Sequence, residues 1–241
     1  MWSSQLLMFE RMMSERLVTP HFQQIVELQR RAPLAYEVLA RGSLPGLEQP
    51  YSIFSIAARV QQEQAFSELM RTIAIEHHAV TTARPTLFLN THPKETSTLR
   101  LLESLVSLRE AAPELKIAIE VHEGGVTAIA EMRRLRAALN DLGMQLAYDD
   151  FGAGQARLLE LTEVPPDVLK FDRQLIQNLD TASRPRREII RGLIAVAKSI
   201  GIITLAEGVE TEEEHEACLD LGFEQGQGYL YGRPSAQLAP A

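Results

Sequence analysis

An apolar run of strand length, Met144-Gln-Leu-Ala-Tyr148, delivers two adjacent carboxylates, Asp149 and Asp150. A glycine-rich turn, Phe151-Gly-Ala-Gly154, follows at once. A short apolar segment stopped by Gly152 and Gly154 reads as a buried strand. Two carboxylates side by side at a strand end repel each other unless a cation lies between them or one takes a proton. Oxygen donors of this kind suit hard cations such as Mg²⁺ or Mn²⁺. Asp and Gly also serve turns for backbone reasons alone, so this stretch by itself leaves both readings open.

Other polar residues close apolar runs in the same way: Asn90, Glu120, Lys170, Asp172 and Glu207. Glu37 lies inside the apolar run 34–41, where a carboxylate is costly to desolvate unless paired or bound to a metal; a register turning it to solvent stays open. Carboxylates plus an Asn, with no Cys or His cluster, fit Mg²⁺ or Mn²⁺ rather than zinc or copper. An adjacent Asp pair can bridge two metals about 3.5–4 Å apart, the usual means of cleaving a phosphodiester by in-line attack. Lys170 could orient a water or neutralise developing charge; a salt bridge to Asp172 or Glu207 is compatible with either. The His77-His78 pair ends a predicted helix, where the dipole favours histidine, and no partner ligands accompany it.

The elements that must position these groups alternate. The spacing predicts a helix over 3–16, strands over 22–28 and 34–41, a Gly/Pro loop over 42–50 and a helical region over 52–78. Strands over 86–90, 116–121, 144–150, 167–172 and 202–207 then alternate with helices over 94–111, 126–142, near Leu158, 184–200 and 211–221, and a last short strand and turn lies within 227–234. Alternating strands and helices imply parallel pairing and an α/β fold, and about eight strands in this length favour a closed (β/α)8 barrel. In such a barrel the C-terminal strand ends meet on one face, where active sites sit. The 241 residues read as a single domain, 1–241, with an N-terminal helix over 1–16 and a barrel over 17–236.

Composition narrows the partners. Hydrophobic residues make up 45% and charged residues 23%, as in a soluble globular protein. A net charge of -8 argues against binding duplex nucleic acid. One cysteine, Cys218, excludes an intrachain disulfide and a Cys-rich zinc site, and it agrees with a cytoplasmic location. No run reaches membrane-spanning length, and the N-terminus lacks the basic start and apolar core of a signal peptide.

With these residues in hand, the chain from about Phe22 to Pro234 resembles the EAL domain, the bacterial module that hydrolyses cyclic di-GMP. The naming motif reads Glu37-Val38-Leu39, with Arg41 at the family spacing. Asn90, Glu120-Val-His-Glu123, Asp149-Asp-Phe-Gly152, Leu169-Lys-Phe-Asp172, Glu207-Gly-Val-Glu210 and Gln227-Gly-Tyr229 match the remaining motifs. The resemblance implies a modified TIM barrel with one antiparallel strand, and metal-dependent hydrolysis of cyclic di-GMP to linear 5′-pGpG. It implies a first metal on Glu37, Asn90, Glu120 and Asp149, and a second on Asp149, Asp150 and Glu207. The metals are Mg²⁺ or Mn²⁺, with Ca²⁺ inhibiting. Lys170 would contact the attacking water. Asp172, Glu210 and Gln227 would support the site, Gln23 and Arg41 would contact the dinucleotide, and Glu123 would anchor the loop after Asp150. A homodimer is implied, and any regulatory or sensor domain or protein lies outside this sequence. The chain departs from the family pattern in the loop after Asp150, which reads Phe151-Gly-Ala-Gly-Gln-Ala-Arg157, at Gly42 in place of an aromatic, and at His92 in place of a Ser. The competing class is a receptor that binds cyclic di-GMP without cutting it. Such family members typically lose ligands at the Glu37, Asp149-Asp150 or Glu207 positions, which this chain keeps. A barrel hydrolase for another phosphodiester is a third possibility.

Overall fold

Val18–Glu27 (β1) and Ala32–Gly42 (β2) form an antiparallel hairpin that starts the barrel. The structure is a computed structural model, and it describes residues 2–78, 85–96, 98–122, 128–154 and 158–238. Thr86–Asn90 (β3), Ile117–His122 (β4), Gln145–Phe151 (β5), Val168–Phe171 (β6), Ile203–Ala206 (β7) and Gln225–Gln227 (β8) continue the sheet. From β2 to β8 every neighbouring pair is parallel. β8 then pairs antiparallel with β1 and closes an eight-stranded barrel. The expected fold is therefore present: a modified TIM barrel in which β1 runs against the other strands.

The helices are Trp2–Glu15 (α1), Pro50–Arg59 (α2), Glu63–His78 (α3), Leu99–Ala111 (α4), Ile129–Asp141 (α5), Leu158–Glu163 (α6), Arg173–Ile176 (α7), Arg184–Ser199 (α8) and Glu212–Leu221 (α9). Local chemistry sets several boundaries. The Thr98 side chain accepts from the Leu101 amide and starts α4. Thr211 and Glu214 form a capping box at α9, and Gly222, at φ 98°, ends it.

Side chains alternate across a strand, so residues two apart share a face. Ile25, Ala35, Phe88, Ala118, Ala147, Val168 and Leu205 pack together as an apolar plug inside the barrel. Two residues toward the C-terminal rim of each parallel strand stand Glu37, Asn90, Glu120, Asp149, Lys170 and Glu207; on reversed β1, Gln23 stands two residues before Ile25. The apolar plug thus carries a polar ring directly above it. The larger core lies outside the strands, under α3 to α9. A separate cluster joins Phe9 and Met12 of α1 to Leu47, Ile53, Phe66 and Met70.

Several elements differ from expectation. The helical region over 52–78 divides because Gln61 is left-handed, at φ 56°, and re-aims the chain between α2 and α3. The last strand is Gln225–Gln227, earlier than the 227–234 segment, most of which turns. A Cβ at Gly228 would lie 2.0 Å from the Val209 carbonyl, so the chain leaves β8 by a passage only glycine fits. α7 was not anticipated, since four residues carry no periodicity; Asp172 caps it through the Gln174 amide. Gly42, which replaces an aromatic, has an equally tight setting: a Cβ there would lie 1.9 Å from the Leu47 carbonyl. Glu123, the start of the predicted 126–142 helix, and Gln155 to Arg157 of the variant loop lie outside the described residues. Among the described residues no helix is long and apolar enough to cross a membrane.

Candidate metal centre

Lys170 organises the rim. Its side chain is fully buried, and Nζ lies 2.5 Å from Glu120, 2.7 Å from Asp149, 3.0 Å from Glu207 and 3.7 Å from Glu37. Each carboxylate arrives on a different strand or strand end, so the fold alone brings them together. Glu37 is bracketed: Asn90 Nδ2 donates to Oε1 at 3.0 Å, and Gln227 Nε2 donates to Oε2 at 2.5 Å. Gln227 also donates to Gln23 Oε1 at 3.2 Å, and Gln23 donates to the Gly232 carbonyl. The open choice for Glu37 is resolved in favour of the interior, since it is 8% exposed.

Consecutive residues of a regular strand face opposite ways, yet Asp149 and Asp150 both face the rim. The β5–β6 pairing shifts register between Tyr148 and Phe151, and Asp150 is left-handed, at φ 58°. Asp tolerates that conformation better than most residues. As a result Asp149, Asp150 and Glu207 each offer an oxygen, all within 4.8 Å of one another. His122 Nε2 lies 2.9 Å from Asp150 Oδ2 on the outer side.

The electrostatics are dominated by burial. It pushes Glu120 and Glu207 well above the usual carboxylate range, and raises Asp149, against the pull of Lys170. Burial opposes the Lys170 ammonium too, but Asp149, Glu120, Glu207 and Glu37 outweigh it and raise its pKa well above the usual value. Asp150 is lowered, first by its hydrogen bond to His122, while Asp172 is raised by burial and then by Asp150 opposite it. One ammonium does not satisfy this many carboxylates. Glu120 Oε1 and Asp149 Oδ1 share the Lys170 ammonium, and Glu120 Oε2 is buried without a hydrogen-bond partner among the described residues. Oxygen-only donors with unspent buried lone pairs fit a hard divalent cation.

Two hollows flank Glu37 and Leu39. An acidic cleft of about 220 Å³ is lined by Gln23, Asp150, Asp172, Arg173, Glu207, Glu210, Gln227 and Tyr229 among others. A mostly apolar cavity of about 260 Å³ is lined by Phe54, Phe66, Met70, Asn90, His92 and His122 among others. His92, at the position of the expected Ser, stacks on Phe54 at 5.6 Å. Glu210 stands on the cleft wall 3.9 Å from Arg173. Arg41 is the outlier of the predicted set: it donates to the Ala40 carbonyl and lines neither hollow. His77 packs its ring against Phe22 at 5.6 Å.

The family model for the EAL domain matches residues 7–234. The chain belongs to the EAL domain family. Cyclic di-GMP phosphodiesterase RocR of Pseudomonas aeruginosa is 34% identical over 151 residues, which are 61% of this chain and 38% of that protein. Cyclic di-GMP phosphodiesterase PdeF of Escherichia coli is 41% identical over 96 residues, 40% of this chain and 13% of that protein. The matched stretches thus cover well under half of these curated relatives, and the chain spans only part of their length. Among solved structures, Klebsiella pneumoniae BlrP1 with calcium and cyclic di-GMP matches at TM-score 0.82 and 28% identity, over 92% of this chain and 57% of that one.

Sequence reasoning placed the EAL motif residues at one rim but missed contacts that cross between motifs. The His122–Asp150 contact is one; a histidine at the end of a strand beside the Asp pair was the available signal. The bracket of Asn90 and Gln227 on Glu37 is another, because residues so far apart in sequence carry no local pattern linking them.

Proposed function

We propose that this EAL domain hydrolyses cyclic di-GMP to linear 5′-pGpG in a metal-dependent reaction. The observation that carries the reading is the convergence of four carboxylates, Glu37, Glu120, Asp149 and Glu207, on the single Lys170 ammonium, with Asp150 beside them. Glu37, Asn90, Glu120 and Asp149 would hold one Mg²⁺ or Mn²⁺, and Asp149, Asp150 and Glu207 the other. Such ions supply a water of lowered pKa and Lewis acidity at the scissile phosphate. The chain's own residues do the rest. Asn90 and Gln227 hold the Glu37 carboxylate in one orientation, and Gln23 in turn accepts from Gln227. Lys170 steers the attacking water and offsets the charge that grows on the phosphoryl oxygens. Asp172 fixes α7, and with it the Arg173 wall of the cleft, while Glu210 and Gln23 contact the dinucleotide from the cleft wall; Arg41, at the rim end of β2, is assigned to the part of the dinucleotide that extends beyond the cleft. Glu123 is assigned as anchor of the loop after Asp150. The unit acts as one domain in the cytoplasm and pairs as a homodimer.

Purified protein incubated with cyclic di-GMP and Mg²⁺ or Mn²⁺ should yield pGpG by chromatography, and Glu37→Ala should yield none. Ca²⁺ in place of either ion should permit binding without turnover. Tight calorimetric binding of cyclic di-GMP with no product in either metal, at micromolar dimeric protein, would replace this reading with that of a receptor.

A further inference from the structure

Behind Asn90, and outside the family motifs quoted above, lies a fully buried ion pair. Arg71 of α3 grips Glu95 in bidentate fashion, at 2.7 and 3.0 Å, and both residues are 2% exposed. The pair does not simply neutralise itself. Arg71 Nη1 donates to the Asn90 carbonyl at 3.2 Å, and Glu95 Oε1 accepts from the His92 amide at 2.7 Å. Ser67 donates to Glu95 at 2.6 Å, and Arg71 also reaches Ser104 at 3.3 Å. Between the two clamped residues, Thr91 bonds the Glu120 carbonyl through both its amide, at 3.1 Å, and its hydroxyl, at 2.6 Å. The backbone of Asn90 to His92 is thus fixed on one side by α3 and on the other by the end of β4, the strand that carries Glu120.

A buried ion pair is weak evidence of stabilisation, because desolvation cancels most of the attraction and apolar replacements of similar volume are often neutral or better. What the pair supplies that apolar residues cannot is direction. We propose that Arg71 and Glu95 are positioning residues for the metal centre: they set the orientation of the Asn90 carboxamide and keep it in register with Glu37 and Glu120. The inference rests on the metal-centre reading above and adds residues to it.

The test compares wild-type protein with Glu95→Gln and with the double variant Arg71→Met/Glu95→Leu. Mn²⁺ affinity is read by calorimetry and stability by thermal unfolding in chelator. Residues behind metal ligands typically govern affinity by about 10–100-fold. The expected result is a double variant as stable as wild type that binds Mn²⁺ at least about 10-fold more weakly. Glu95→Gln, which keeps the shape and loses the charge, should show the same weakening, and it decides the matter if the double variant does not fold. Variants that bind Mn²⁺ as tightly as wild type, whatever their stability, would overturn the positioning role and leave the metal centre standing. Wild-type protein that takes up no Mn²⁺ would overturn both.

Discussion

Replacing Lys170 by Met asks most directly what holds the rim together. The variant keeps most of the side-chain volume and removes a positive charge that touches Glu120, Asp149 and Glu207 at 2.5, 2.7 and 3.0 Å. At an effective dielectric of about 20, each such contact attracts by roughly 6 kcal/mol. Desolvating the ammonium and the carboxylates consumes most of that gross attraction, and removing one partner of a buried pair costs about 3–5 kcal/mol net. For a chain of this length that corresponds to a fall in Tm of roughly 6–20 °C. The measurement is thermal unfolding in chelator at pH 7.5 and again at pH 5. Burial already raises Glu120, Asp149 and Glu207, and without the ammonium they rise further and take up protons. The loss should therefore shrink at pH 5, and millimolar Mn²⁺ should shrink it at pH 7.5. Turnover should fall by about 10²–10³-fold if Lys170 stabilises developing charge. A variant as stable as wild type at pH 7.5 in chelator would refute the claim that this ammonium neutralises the cluster.

Glu120→Gln tests the electrostatics from the acid side. A carboxyl whose folded pKa is raised loses stability as pH rises from its unfolded value through its folded one. Wild-type protein bears that penalty at Glu120 and the Gln variant does not, so in chelator the variant should gain Tm relative to wild type between pH 5 and 8. A difference that is flat, or that favours wild type as pH rises, would contradict the assignment. Asp150→Asn should preserve the left-handed backbone, which Asn tolerates, and change Tm little. It should lower the Mn²⁺ stoichiometry measured by calorimetry from two toward one; unchanged stoichiometry would remove Asp150 from the ligand set.

The alternation of strands and helices made the barrel legible, and runs ending in Asn90, Glu120, Asp149 and Glu207 made the rim legible, because a strand has period two and any polar residue two places past an apolar one shares its face. Long-range geometry was not legible. Nothing local in Tyr148-Asp-Asp-Phe151 announces a register shift, and without it the two carboxylates would part to opposite faces. Arg71 and Glu95 look like ordinary polar residues of two predicted helices, and only the packing of α3 against the end of β3 encloses them together. Gln61 gave no sign of breaking a helix, since its left-handed backbone is set by how α2 and α3 pack rather than by residue type.

The direction of β1 has a mechanical consequence. In a barrel of uniformly parallel strands the chain enters at the floor, far from the chemistry. Here β1 starts at the rim and descends, so α1 is delivered to the end of the barrel that carries the polar ring. Its Phe9 packs on Phe66 with ring centres 6.5 Å apart, and Phe66 in turn forms part of the apolar wall beside Asn90 and Glu37. The first helix is therefore separated from the cavity beside Glu37 and Asn90 by a single layer of aromatic side chains rather than by the depth of the barrel.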